Sequence, residues 1–188
     1  MSGFLTAAER AVVAAAVDIL IPPLDEHPGG SALGVADYID NLLGAFTVEP
    51  PFIFAGGPFS GRRGGEASFA EFMPLSPHEE IAWRTRIEGS LGRPEREFNG
   101  PVRGWQQIYR EGIAALGADF TEVPADEQAA RLRAARELRT VMYVHACEGA
   151  YGAPEYGGNR DLLGWHVIGF PGDSQPRGYT DEEVSGRA

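Results

Sequence analysis

The sequence predicts an all-α protein, a single irregular bundle of about six helices. Three observations lead there. Apolar residues recur at helical spacing in separate segments along most of the chain. These segments are opened or closed by capping residues, prolines and glycines. No stretch reads as a strand. With 188 residues and 43% hydrophobic content, the chain suits one domain. A domain of this size removes about 70% of its unfolded surface from water.

The first helix is expected from about Thr6 to Leu20. Thr6 and Glu9 have the spacing of a capping box, and Leu5 is at best a weak staple. Val13, Val17 and Leu20 share a face, with Ile21 beside them, and Pro22-Pro23 ends the run. A turn-rich link follows over residues 25–30. The second helix, from about Gly34 to Phe46, carries Val35, Tyr38, Ile39, Leu42, Leu43 and Phe46 at helical spacing. Asp37 and Asp40 face elsewhere and are read as solvated.

Residues 47–75 break the pattern. Pro and Gly are too frequent for a helix, and loops this long are uncommon and usually functional. Yet residues 46–72 hold six of the ten phenylalanines. Disordered linkers are poor in aromatics. The loop is therefore expected to be ordered, packed over its own bundle or into a partner.

The third helix opens on Ser76 as cap, with Pro77 at the first position and Glu79 at the third. It carries Ile81, Trp83 and Ile87 and is expected to reach about Leu91, before Gly92-Arg93-Pro94. The fourth runs from about Val102 to Leu116, with Trp105, Ile108, Tyr109 and Ile113 at helical spacing, and Gly117 closes it. The fifth starts near Pro124, with Asp126 and Glu127 in its first turn, and reaches about Arg139. Its arginines 131, 133, 136 and 139 read as a solvated flank. A further apolar stretch, Leu138 to Cys147, can continue it.

The last structured piece is Tyr156-Gly157-Gly158-Asn159-Arg160-Asp161, followed by an apolar helix from Leu162 to about Phe170. Two glycines permit a sharp turn, Asn159 can cap, and Asp161 suits a helix N-terminus. Gly164 and Gly169 each cost about 1 kcal/mol against alanine inside a helix. That cost makes sense where another backbone packs closely. Phe170-Pro171-Gly172 stops the helix. The domain thus spans 1–172, and the acidic residues 173–188 read as a weakly ordered tail.

Composition excludes several functions. The net charge is −11 and no basic stripe stands out, which argues against nucleic acid and anionic membranes as partners. All sixteen basic residues are arginine, so lysine Schiff-base chemistry and a Walker phosphate loop are excluded. The longest apolar run, residues 11–17, is far below the ~20 residues a membrane span needs. One cysteine forms no disulfide within the chain. The N-terminus lacks a basic start and a hydrophobic signal core, and Arg62-Arg63 is internal. The expectation is a cytoplasmic protein, or an extracytoplasmic one exported with a partner that carries the signal.

The search for chemistry returns little. His145 and Glu148 share a helical face, and His166 could join them only through tertiary contact. Cys147 points off that face and reads as a small buried hydrophobe. Gly157 to Arg160 could cradle an anion, but a plain turn and cap is the better reading. Glu79-Glu80 and Glu95/Glu97 read as surface. No catalytic, cofactor-binding or metal residue is assigned.

The same C-terminal residues, with Gly164-Trp165 and Gly169-Phe170-Pro171-Gly172, resemble the signature of the gluconate 2-dehydrogenase subunit 3 family. Leu5 to Arg10, Ile21-Pro22-Pro23, Gly34 to Asp40 and Gly56 to Arg62 are similar to that family as well. The resemblance implies a non-catalytic small subunit that binds and stabilises, or helps mature, a large FAD-dependent oxidoreductase of the glucose-methanol-choline type. It implies FAD in that partner, a sugar, sugar acid or glycoside as substrate, and in some systems a cytochrome or other electron acceptor. This chain has no Cys-x-x-Cys-His for haem. The residues expected at the interface are Phe52, Phe54, Phe59, Arg62, Tyr156, Asn159, Arg160, Trp165 and Phe170. Two other readings stand beside it: a self-associating helical protein, and a metal-dependent enzyme using His145, Glu148 and His166.

Overall fold

The computed structural model describes residues 3–25, 27–55 and 73–172. They form seven helices: α1 (Ala7–Leu20), α2 (Val35–Leu43), α3 (Pro77–Ile87), α4 (Trp105–Leu116), α5 (Ala125–Ala134), α6 (Arg136–Tyr151) and α7 (Leu163–Val167). The described residues contain no sheet, and an isolated β-bridge pairs Leu24 with His27. The all-α expectation holds. The helix count rises by one because the 124–151 stretch breaks at Ala135, where the backbone leaves helical space (φ −77°, ψ 60°).

Most of the predicted caps are in place. Thr6 and Glu9 close the capping box of α1, and Ser76 and Glu79 close that of α3 behind Pro77. Each box satisfies orphan N–H groups of the first turn. α3 and α4 are shorter than predicted at their facing ends. Gly89 (φ +92°) and Gly104 bring two backbones into contact, and a methyl at Gly104 would overlap the Glu88–Gly89 peptide. That contact ends α3 at Ile87 and delays α4 to Trp105. Helix α2 also stops early, at Leu43, and a 3₁₀ turn (Ala45–Thr47) carries Phe46 onward.

Two apolar clusters hold these elements. The larger joins Val13 and Val17 of α1, Val35, Ile39 and Leu43 of α2, Tyr109 of α4, Leu132 of α5, and Leu138 and Met142 of α6. Each fully buried aliphatic side chain contributes about 1.5–3 kcal/mol. The smaller is built from Ala45, Ile53 and Ile87, with Phe46, Phe52, Leu75, Trp83 and Trp105 packed on it. It anchors the start of the Phe-rich loop beneath α3. The expected order of that loop applies here to residues 51–55; residues 56–72 and the 173–188 tail lie outside the described residues.

Two charge assignments need correction. Asp40 is buried, not solvated: its carboxylate accepts the Leu5 N–H at 2.7 Å and pairs with Arg10 at 3.3 Å. Asp37 pairs with both Arg10 and Arg160. A helical wheel places these two acids off the apolar face, but the N-terminal segment folds back over α2 there and places Leu5 in the core. Arg131 is also more than a solvated flank. It bonds Asp119, Glu127 and the carbonyl of Leu116, tying α5 to the end of α4.

Candidate functional site

The site grows from the C-terminal end of α6. The chain leaves α6 at Gly152, makes a 3₁₀ turn over Pro154–Tyr156, and reverses at Gly157 (φ +101°). A methyl at Gly158 would sit on the carbonyl of Gly149, so only glycine lets the returning strand of chain lie against α6. Gly149 itself meets α2, where a Cβ would lie 3.0 Å from the Tyr38 side chain.

Asn159 locks the corner. It is completely buried in a left-handed conformation (φ 44°, ψ 47°), which Asn adopts more readily than most residues. Its N–H donates to Gly149 O at 2.6 Å. Its Oδ1 accepts from the N–H groups of Gly164 (3.0 Å) and Trp165 (3.3 Å). Its Nδ2 donates to Gly152 O at 3.0 Å. The expected cap is therefore real, but it acts across an intervening 3₁₀ turn (Arg160–Leu162) rather than from the adjoining position. The same bonds occupy the N–H groups that an anion would need, which favours the plain-cap reading of this glycine-rich turn.

Arg160 extends the lock to α2. Its N–H donates to Leu33 O at 3.0 Å and its guanidinium to Asp37 at 2.7 Å. Trp165 is buried and its indole N–H donates to Tyr151 O at 2.7 Å. Phe170 stands against it edge-on, with ring centres 4.8 Å apart. A methyl on Gly164 would overlap the carbonyl of Ala150, the close backbone approach that the sequence suggested. Gly169 differs: nothing lies within 4 Å, and its role is the positive φ of +66°. The expected helix to Phe170 ends at Val167, and its apolar outer side is not covered among the described residues. Leu163, Ile168 and Phe170 are 37%, 54% and 40% exposed.

Phe52, Phe54 and Tyr156 come together although about a hundred residues separate them in sequence. Tyr156 meets Phe52 at 6.1 Å and Phe54 at 6.5 Å between ring centres, with the ring planes inclined at 65° and 57°. With Tyr38 and Leu42 from α2, Ile53, and Trp83 from α3, these rings line a cleft of about 200 Å³. Asn41 fixes the corner beside it by donating to Tyr156 O at 3.1 Å. Burial raises the Tyr156 phenol, with a further push from Glu155. Burial, then the charge of Glu148, raises the Tyr38 phenol well above its ordinary value, and its hydroxyl donates to Glu148 at 2.9 Å. Helical spacing places Tyr38, Leu42 and Trp83 on core faces; only the tertiary fold reveals them as cleft walls. Phe59 and Arg62 lie outside the described residues.

The structure disperses the proposed metal trio. His145 is buried against Tyr109, with 3.1 Å between Nδ1 and the hydroxyl, and against the Trp105 ring at 4.5 Å. Burial pulls its pKa down to about 4. Glu148 turns to Tyr38, and His166 is exposed on α7. Among the described residues no three His, Cys, Asp or Glu side chains are placed to hold a metal ion. Cys147 is half-buried rather than fully enclosed. The described residues of this region form an aromatic-lined surface beside a rigid corner.

No curated protein and no solved structure matches the chain. The model of the family described as gluconate 2-dehydrogenase subunit 3 matches residues 7–172, from the first helix to the glycine that covers Trp165. The chain belongs to that family, and so to the accessory subunits of dehydrogenase complexes.

Proposed function

We propose that the chain is a non-catalytic small subunit that binds and stabilises a large FAD-dependent oxidoreductase of the glucose-methanol-choline type. The partner's substrate class is a sugar, sugar acid or glycoside. The observation that carries this reading is the family match over residues 7–172. The geometry supports it. Phe52, Phe54 and Tyr156 converge on one aromatic face, and the Asn159 corner fixes α7 with Leu163, Ile168 and Phe170 directed outward. Apolar side chains on rigid supports are the usual core of a stable interface. Such an interface buries at least ~1,200 Å² in total. We assign the FAD to the large subunit, as membership of a dehydrogenase small-subunit family suggests. Electrons leave through that subunit or a cytochrome bound to it. The chain works in the cytoplasm, or beyond it when carried by a partner with an export signal.

The test is to express the large subunit with and without this chain. Soluble, flavin-loaded and active large subunit should require the chain. Equal yield and activity without it would end the proposal.

A further inference from the structure

Between α3 and α4 the chain makes an excursion over residues 88–104. Phe98, at its tip, is 94% exposed, higher than any other large apolar residue described. Leu91 and Val102, in the same excursion, are 66% and 42% exposed. An exposed apolar tip is unremarkable on a floppy loop, but this one is braced. Arg96 is buried; its guanidinium donates to Glu88 at 2.8 Å and to Gly89 O at 3.1 Å. Ser90 and Val102 exchange backbone and side-chain hydrogen bonds at 2.9–3.3 Å, closing the base. Glu97 accepts the Gly92 N–H at 3.1 Å, folding the tip on itself. Leu91 adopts a left-handed conformation (φ +52°), rare for a branched residue without a polar side chain. Burial does not compensate this strain, since the side chain faces solvent. Strain held without a packing return points to function.

We propose that this braced turn is a docking element for the large dehydrogenase subunit, with Phe98 entering an apolar pocket of that partner and Leu91 and Val102 seating around it. The inference rests on the reading of the chain as a dehydrogenase small subunit, and it adds a contact element remote in sequence from the aromatic face. A rigid aromatic anchor loses little freedom on binding, which is why such residues dominate interface energetics. The rim supplies the orientation. Arg93 and Glu95 flank the tip, both exposed, and neither forms an ion pair among the described residues. The matching pocket therefore carries a carboxylate for Arg93 and a cation for Glu95 around an apolar floor. A second copy of this chain is a poorer occupant, because each copy brings a net charge of −11.

The experiment co-expresses the large subunit with the tagged full chain and measures the affinity within each purified complex from its dissociation on dilution, for wild type, Phe98→Ser, Phe98→Leu, Arg96→Gln and the control Tyr143→Ser. Tyr143 is a half-exposed aromatic on α6 that lines a hollow with Leu20, Ile21 and Leu24. Phe98→Ser is expected to weaken binding at least about thirty-fold, Phe98→Leu less, and Arg96→Gln several-fold through loss of the brace. Tyr143→Ser should bind as wild type. Unchanged circular dichroism and melting of Phe98→Ser alone would confirm that the fold is intact, as its exposure requires. If wild type binds and Phe98→Ser binds within about two-fold, the docking element is wrong and the subunit reading survives. If wild type does not bind, the subunit reading itself fails and takes the inference with it. Concentration-dependent dimerisation abolished by Phe98→Ser would assign the turn to self-association and overturn the proposal.

Discussion

Replacing Asn159 by alanine is the sharpest test of the C-terminal corner. The change removes three side-chain hydrogen bonds, two from Oδ1 to the N–H groups of Gly164 and Trp165 and one from Nδ2 to Gly152 O. Each backbone group left buried without a partner costs about 1–3 kcal/mol. The Trp165 bond, at 3.3 Å, is long and counts at the low end. Alanine in a left-handed conformation adds about 1 kcal/mol. The sum is about 4–8 kcal/mol if α7 stays docked. If α7 releases instead, amide exchange at Gly164 and Trp165 should accelerate by about 10³-fold or more, since each 1.4 kcal/mol is a factor of ten. Urea unfolding and hydrogen exchange read the two outcomes. Asn159→Gly separates backbone strain from capping and should recover only about 1 kcal/mol. A variant with an unchanged midpoint and unchanged exchange would refute the reasoning. Near-complete rescue by glycine would show that the turn, not the cap, is what Asn159 supplies.

Other consequences follow from the same geometry. Gly164→Ala should cost more than about 3 kcal/mol in urea unfolding, because its methyl meets the Ala150 carbonyl and backbone cannot easily yield. Gly169→Ala, with open space but φ +66°, should cost only about 1 kcal/mol. His145 carries a pH signature. Its folded pKa, about 4, lies below the ordinary 6.5. The unfolded chain therefore binds the proton first as pH falls, and stability declines from pH 6.5 towards 4. The full difference is about 3 kcal/mol by linkage. Comparing wild type with His145→Gln over that range isolates the residue from the carboxylates, and parallel curves would contradict the burial argument. Asp40→Ala should release the N-terminal segment, exposing the Leu5 amide to faster exchange while leaving the Thr6 capping box of α1 intact.

Much of this was legible before any coordinates. The capping boxes at Thr6 and Ser76 are local chemistry, and local chemistry is readable from spacing. The same holds for Asn159 as a cap and for a close backbone approach at Gly164. Contacts between distant segments were not legible. Asp37 and Asp40 look solvated on an isolated helix and become the anchor for Arg10, Arg160 and Leu5 only when two ends of the chain meet over α2. The break at Ala135 had no proline or glycine to announce it. In the cleft, Phe52, Phe54 and Tyr156 are separate candidates in the sequence, and their convergence with Tyr38 and Trp83 depends on the α2, α3 and α6 packing. Phe98 drew no notice in sequence because a lone aromatic between charged residues carries no period. Its significance lies in the Arg96 brace beneath it.

The proposed function makes this chain one part of a flavin-dependent complex. The most direct measurement is co-expression of the tagged chain with the large oxidoreductase subunit of the same organism, followed by affinity purification and an absorbance spectrum. The expected result is a stable complex with the yellow absorbance of bound flavin, and cross-links joining the large subunit to the chain near Phe54, Tyr156 and Phe98. Recovery of the chain alone, monodisperse and colourless beside a soluble and active large subunit, would contradict it.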